Sequence, residues 1–396
     1  MAQTLYGASI SEQAPTQTRS LSSIMNLRLA LGLSVLLGTI IFFVAVSWDI
    51  QWHSYIGRDR TLIPPHVMIL CGVAISGLAA LAVVLIETIG VRHAPSLARY
   101  SSAFVGGFSG PLGAYIAGFG ALNTAIAFVL DSYWHALYGI DVAIWAPFHV
   151  MMLVGMVITG LGAAYMLVSV ARIAEQIGKR GKMRAGYIGA CAAFSAIITI
   201  LPILIIDSLN NPQGYIALPG MKLNDFPALA GLACTWVLVA AVSAIPWRWV
   251  ASMVSGITIL IVLIMATFVP WAMDFLMAEE HLSYRAVAST RLDPHLPIIA
   301  VEWPLTATFL AAVLIDLVIV VARRKGWSQR RLTLTLACVA LPVCVPLMPI
   351  IPGLVLGIGQ VTGGVGLLLS MALGLLGTLL GSWFGHHVGE AMRTGR

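Results

Sequence analysis

Ten long apolar runs dominate this chain: 26–47, 66–90, 108–130, 147–171, 186–206, 226–245, 249–272, 299–322, 332–355 and 361–385. Each suits the roughly 20 residues that an α-helix needs to cross the hydrocarbon core of a bilayer. Lipid offers a backbone amide no hydrogen-bond partner, so a spanning segment closes its own bonds as a helix or joins a closed barrel. Barrel strands alternate apolar and polar residues. These runs do not alternate, which predicts an all-α polytopic transmembrane helical bundle of about ten spans. Composition agrees: 59% of the 396 residues are hydrophobic and only 10% are charged, against about 25% charged residues in soluble domains. Run 332–355 holds Pro342, Pro346, Pro349 and Pro352, so it is expected to be kinked or partly re-entrant.

Ten spans return the chain to the side on which it began. Lys and Arg collect in short cytoplasmic loops. With the N-terminus inside, 17 of the 22 Lys and Arg fall inside, and only Arg58, Arg60, Lys222, Arg285 and Arg291 fall outside. Both termini are therefore expected in the cytoplasm, with the chain in the cytoplasmic (inner) membrane. The net charge of +6 then reads as a topology signal, and no nucleic-acid partner is expected. Residues 1–23 are rich in Ser, Thr and Gln, lack the pattern of a signal peptide, and are expected to form a disordered cytoplasmic tail. Cys71, Cys191, Cys234, Cys338 and Cys344 all lie in apolar runs without a Cys-x-x-Cys pair, which points to small buried residues rather than disulfides or thiolate sites. Gly377, Gly381 and Gly385 recur at every fourth position. Such spacing lets helices approach closely, within the chain or in a homo-oligomer.

The outer face carries the chemistry. Six of the nine histidines fall there: His53, His66, His135, His149, His281 and His295. Two segments share a plan. One reads Trp48-Asp49-Ile-Gln-Trp52-His53, then Arg58-Asp59, then Pro64-Pro65-His66; the other reads Asp131-Ser-Tyr-Trp134-His135, then Asp141, then Pro147-Phe148-His149. Asp and His four apart share one helical face, and the returning helix brings a second His to the same depth. Two imidazoles and a carboxylate form a metal-ligand set with positions left open. A single copy fits the polar fringe expected where helices leave a bilayer as well as it fits a site, but the repeat of the spacing favours a site. Asp59, with Arg58 beside it, and Asp141 are candidates to accept hydrogen bonds from ligand imidazoles. Asn123 lies two turns before Asp131 and is expected to line the space below the second set. Trp48, Trp52, Trp134 and Trp145 read as anchors in the interfacial aromatic belt.

Other polar residues are further candidates. His281 and His295, in a loop with Asp274, Glu279, Glu280 and Asp293, form either another ligand set or a solvated loop, and the solvated loop is the expectation. Asp316 falls inside an apolar run, where acids usually face a polar interior, and suits a proton path or an ion pair. Glu302 lies near the outer end of the same run.

The motifs Asp49-x3-His53-x12-His66 and Asp131-x3-His135-x13-His149, the latter ending Ala146-Pro147-Phe148-His149, resemble the third (C) subunit of the copper membrane monooxygenases. These are the particulate methane, ammonia and hydrocarbon monooxygenases. The resemblance covers residues 25–175. It implies copper at Asp49, His53 and His66, a neighbouring metal at Asp131, His135 and His149, partner subunits, and oxidation of a small apolar substrate by dioxygen. Asp131 stands where that family has Asn, and the added carboxylate admits iron or zinc at the second set. The six spans after residue 186 have no counterpart in that subunit. The chain is thus expected to comprise the tail 1–23, a four-helix metal-binding half at 24–185 and a six-helix half of unassigned role at 186–396. Two other functions fit the same residues: non-catalytic metal binding or sensing at the outer face, and metal-dependent transport.

Overall fold

In the computed structural model the described residues are 15–56, 61–139, 146–210, 215–218, 221–279, 281, 283–284, 295, 305–344 and 364–394. They form helices α1 (Pro15–Tyr55), α2 (Pro64–His93), α3 (Leu112–Tyr138), α4 (Pro147–Gln176), α5 (Arg180–Asn210), α6 (Phe226–Ala244), α7 (Val250–Glu279), α8 (Leu305–Lys325), α9 (Gln329–Val339) and α10 (Gly364–Thr394). Among the described residues, helices α1–α7 and α10 contain the eight segments that are long and apolar enough to cross a membrane. The chain is an all-α helical membrane bundle. Two short antiparallel hairpins interrupt it, β1 (Ser102–Phe104) with β2 (Phe108–Gly110) and β3 (Tyr215–Leu218) with β4 (Met221–Asn224).

Local sequence chemistry explains where helices differ from the apolar runs. The third run begins at 108, but 108–110 is strand β2 and α3 starts only after Pro111. Run 332–355 breaks early. Helix α9 ends at Val339 and a 3-10 turn, Leu341–Cys344, follows with Pro342 inside it. Proline removes an amide donor and clashes with the preceding turn. Pro346, Pro349 and Pro352 lie outside the described residues. The expected tail is also shorter, because α1 is already helical from Pro15 and Leu21 is buried. Of the cysteines, Cys191, Cys234 and Cys344 are buried, but Cys71 and Cys338 are exposed on their helices.

Glycines set the spacing of the first four helices. A Cβ on Gly38 of α1 would lie 2.6 Å from Gly72 O, and one on Gly72 of α2 would lie 2.7 Å from Gly38 O. The α3–α4 pair repeats this: a Cβ on Gly120 would lie 2.5 Å from Gly155 O, and one on Gly113 would lie 2.5 Å from Gly162 O. Backbones this close leave no room for any side chain, which is the small-residue mode of membrane helix packing. Polar side chains tighten the second crossing. Asn123 Nδ2 donates to Met151 O at 2.8 Å, and Thr124 Oγ1 to Met152 O at 3.1 Å. Asn123 thus joins α3 to α4.

The other end of the first hairpin is fastened by charge. Arg28 of α1 and Glu87 of α2 are fully buried. Arg28 Nη2 donates to Glu87 Oε2 at 2.8 Å and to Tyr100 O at 2.8 Å, and Nη1 donates to Ser169 Oγ at 3.1 Å. Ser101 Oγ–H also donates to Glu87 Oε2 at 2.8 Å. One bidentate pair therefore ties α1, α2, α4 and the turn at 95–100 together.

In the second half, α10 lies along α6. Cβ atoms on Gly377, Gly381, Gly385 and Gly389 would meet the carbonyls of Ala228, Leu232, Trp236 and Ala240. The small-residue stripe therefore serves packing within the chain. Asp316 has a structural role too. Its Oδ1 and Oδ2 accept from the amides of Ala251 and Ser252, at 3.1 and 2.8 Å, in the first turn of α7. It thereby satisfies helix-start amides that have no partner within α7.

Two outcomes follow. Gly72→Val and Gly155→Val each lower stability by about 3 kcal/mol, at the upper end of overpacking penalties, whereas Gly90→Ala, where a Cβ meets nothing within 4 Å, leaves it unchanged or slightly higher. Thermal unfolding in detergent measures both. Glu87→Ala strands Arg28 without its counter-charge and costs about 3–5 kcal/mol. The double variant Arg28→Met/Glu87→Leu recovers most of that loss.

Candidate metal centre

The two Asp/His/His sets occupy equivalent places on two hairpins at one end of the bundle. In each, Asp and the first His lie near the C-terminus of the ascending helix. Asp49 and His53 belong to the last turns of α1, and Asp131 and His135 to those of α3. The second His is the third residue of the descending helix. Pro64 and Pro147 open α2 and α4, where a missing amide donor costs nothing, and His66 and His149 follow two residues later. The packing glycines belong to the same repeat. Gly38 and Gly120 each precede the Asp by 11 residues, and Gly72 and Gly155 each follow the second His by 6.

The ligand atoms converge. In each set one atom from Asp and one from each His lie within 4.8 Å of one another. Asp49 Oδ1 is 3.4 Å from His53 Nε2 and 3.1 Å from His66 Nε2. Asp131 Oδ2 is 3.3 Å from His135 Nε2, and its Oδ1 is 3.4 Å from His149 Nε2. The imidazole rings are 5.8 Å apart and inclined at 39° in the first set, and 6.0 Å apart at 42° in the second. Ligands bonded tetrahedrally at ~2.0–2.1 Å stand roughly 3.3 Å from one another, so these separations are those of a metal's ligand shell.

Hydrogen bonding points the same way. His66 Nδ1 lies 3.3 Å from Thr61 O, and His135 Nδ1 lies 3.2 Å from Gly139 O. An Nδ1–H donated to a carbonyl leaves Nε2 bare and aimed at the centre, as metal-bound histidines require. Gly139 can serve because it ends α3 at φ 85°, a conformation open to glycine. Asp49 Oδ1 and Asp131 Oδ1 are shielded from solvent yet accept no well-aligned hydrogen bond. A shielded carboxylate oxygen with imidazole nitrogens of its own set 3.1–3.4 Å away has the spacing of an Asp–His contact and equally of three donors around a cation. The donor set of two nitrogens and one carboxylate suits a first-row transition metal and leaves coordination positions open.

The surroundings of the two sets differ. Trp48 and Trp52 are not belt anchors. They are buried with Tyr55, Ile56 and Ile63 against Val269, Ala272 and Met273 of α7, and Trp48 meets Phe268 edge-on at 5.7 Å. Phe128 of α3 stands perpendicular to the His66 ring at 5.8 Å. It lies one turn before Asp131, a spacing that could have marked it in the sequence. The second set has Trp134 packed on Tyr138 and Phe148, while Tyr133, Leu137 and Tyr138 are exposed.

The remaining candidates divide. Asp274 accepts from Tyr284 O–H at 2.9 Å and lies 3.5 Å from His295 Nε2, with both Asp274 and His295 more than half exposed. Tyr284 in turn meets Tyr55 near the end of α1. His281 is exposed at φ 53°, and among the described residues neither it nor His295 belongs to a three-ligand group. Arg58, Asp59, Asp141, Trp145 and Glu302 lie outside the described residues.

Comparisons with family models, with curated proteins and with solved structures return no match.

The geometry predicts two bound transition-metal ions per chain after loading with copper or zinc and dialysis. His66→Ala removes one equivalent and leaves the other, His149→Ala does the converse, and the double variant binds neither. Metal analysis of the three proteins checks this. Retention of both ions by the double variant places the metal elsewhere.

Proposed function

We propose that this protein is a membrane-embedded, metal-dependent oxidoreductase of the monooxygenase type. In this reading it uses copper at Asp49, His53 and His66 to oxidise a small apolar substrate with dioxygen on the outer side of the cytoplasmic membrane. The observation that carries the reading is the pair of open His/His/carboxylate sets at one end of an apolar bundle. The motif resemblance to the copper membrane monooxygenase C subunit adds the metal and the reaction class. Copper bound there supplies redox chemistry with dioxygen, and a reductant supplies the electrons.

The chain's own residues define the rest of the site. Asp49, His53 and His66 hold the metal, and Thr61 O orients His66. Trp48, Trp52 and the α7 residues beneath them exclude water from one side, which strengthens every charge interaction at the centre. Asp131, His135 and His149 hold a second ion, and their carboxylate suits iron or zinc as well as copper.

Substrate access fits a groove open to the lipid between α2 and α3. The groove has a volume of about 570 Å³ and is lined by Val73, Leu78, Leu81, Phe119 and Leu122 among small Gly and Ala residues. Its outer end is Ala125, one turn below Phe128. An apolar molecule dissolved in the bilayer thus has a path that ends beside the aromatic ring touching His66. The distribution of basic loops supports an outer-face position for the two sets under the positive-inside rule, in a reading with about ten spans and both termini inside. Partner subunits are what the resemblance implies, and a small-molecule reductant takes the place of their electron delivery in the test below.

The decisive experiment is oxygen uptake by the copper-loaded, reconstituted protein with a quinol or ascorbate as reductant and a short alkane or ammonia as substrate. Expected are copper-dependent uptake and an oxygenated product. His53→Ala lowers both by on the order of 100-fold or more, since even the outer partners of metal ligands are worth 10–100-fold. Stoichiometric metal binding without oxygen uptake under any of these conditions would falsify the enzyme reading and leave a metal-binding or sensing protein.

A further inference from the structure

The end of the bundle opposite the metal centre holds a second polar cavity, of about 230 Å³. It lies where the start of α3, the last turns of α4, the turn at 95–100 and the final turn of α10 converge around Arg28. Its lining includes Arg28, Arg99 and Arg172 but no Asp or Glu. Arg28 is neutralised behind the wall by Glu87. The other two guanidinium groups are not: Arg99 lies over the Tyr100 ring, 5.0 Å from its centre, and Arg172 Nη1 reaches Met392 O at 3.5 Å. Among the described residues neither forms an ion pair. Two positive charges with no ion-pair partner among the described residues thus share one concave space, where an anion offsets their repulsion.

Two further features favour an anion over water alone. Leu112 and Gly113, the first residues of the 27-residue helix α3, also line the cavity, and Pro111 before them supplies no capping side chain. The N-terminal end of that helix adds a positive potential at the cavity wall. Arginine, moreover, presents planar paired donors that match phosphate oxygens. At this size the cavity is smaller than the ~300–1,000 Å³ of pockets for drug-sized ligands, and it admits a headgroup-sized anion.

We propose that this cavity is a phosphate-group site, filled by the headgroup of an anionic phospholipid or by free phosphate, that fastens the C-terminal turn of α10 to the first four helices. Basic pockets between membrane helices on the basic face suit phospholipid headgroups. Through Met392 and Thr394 an occupant here joins the two halves of the chain. The site is independent of the metal centre in position and ligand.

The test is thermal unfolding of the full-length protein in an uncharged detergent. One arm adds inorganic phosphate against chloride at equal ionic strength. The other adds phosphatidylglycerol against phosphatidylcholine. A ligand that binds only the folded state raises the unfolding midpoint with concentration. Expected is a saturable rise in at least one arm: a response to both identifies free phosphate as sufficient, and a response to phosphatidylglycerol alone identifies the lipid headgroup. Arg99→Gln and Arg172→Gln each raise the half-saturating concentration about tenfold, as for loss of one charge-assisted hydrogen bond. Arg99 is exposed, so its variant folds whether or not the site exists. No rise in either arm, or a rise undiminished in both variants, overturns the proposal. Metal content serves as an internal control and stays unchanged throughout.

Discussion

Backbone contact between glycines governs this structure. Where α1 crosses α2 at Gly38 and Gly72, and α3 crosses α4 at Gly120 and Gly155, the main chains come so close that a Cβ on any of the four would strike the partner's backbone, with Ser76, Asn123 and Thr124 packed beside the contacts. Within lipid there is little hydrophobic drive to hold helices together, so close packing and local polar bonds must do it. So close a crossing also fixes depth and rotation tightly, because sliding either helix by one residue brings a Cβ into a carbonyl. Each triad is placed by that crossing. Along the ascending helix the Asp lies 11 residues, about 16 Å, beyond the glycine; along the descending helix the His lies 6 residues, about 9 Å, before it. The difference is made up by side-chain direction. Side chains lean toward the N-terminus of their own helix, so Asp leans back toward the crossing and His leans out, and the two meet.

Much of this was legible in the sequence because membrane helices write their length and chemistry locally. The i, i+4 spacing of Asp49 and His53, the Pro before His66 and the same plan at 131–149 are short-range signals, and the fold brings each set within a ligand shell's dimensions. What was not legible depends on which helices become neighbours. Nothing local reveals that Arg28 and Glu87, 59 residues apart, form a bidentate pair. Nor does the sequence say that Trp48 and Trp52 face α7 rather than lipid, since an interfacial tryptophan reads the same in either role. Asp316 invited a functional reading as an acid in an apolar run, yet it caps α7. The glycines of the first hairpin were obscured for a different reason: Gly38 and Gly72 share their apolar runs with other glycines, such as Gly32 and Gly77, and only the partner's backbone marks them as necessary.

The two sets share a repeat but not an environment. The first has α7 packed behind it and Phe128 across its open side. The second ends in exposed Tyr133, Leu137 and Tyr138. Identical donor atoms behave differently in such settings, because a shell that excludes water raises the local field and restrains the ligands. The loop between the first and second His is also one residue longer in the second hairpin, 13 intervening residues against 12. The first set is therefore the more constrained of the two.

Each hairpin is also fastened far from its triad. In α1–α2 the remote fastener is Arg28–Glu87; in α3–α4 it is the second glycine contact, Gly113 with Gly162, seven residues from the first on both helices. Two points of attachment fix both the separation and the angle of a helix pair, whereas one leaves it free to scissor. The Asp and His side chains are thereby held in place by the hairpins themselves, so an ion proposed to bind there need not organise them as it does in small metal domains that fold only around their ion. A preorganised shell gains its affinity from bonds rather than spending them on folding. It can also keep an empty coordination position open, which a flexible loop site would close by collapsing another side chain onto the metal.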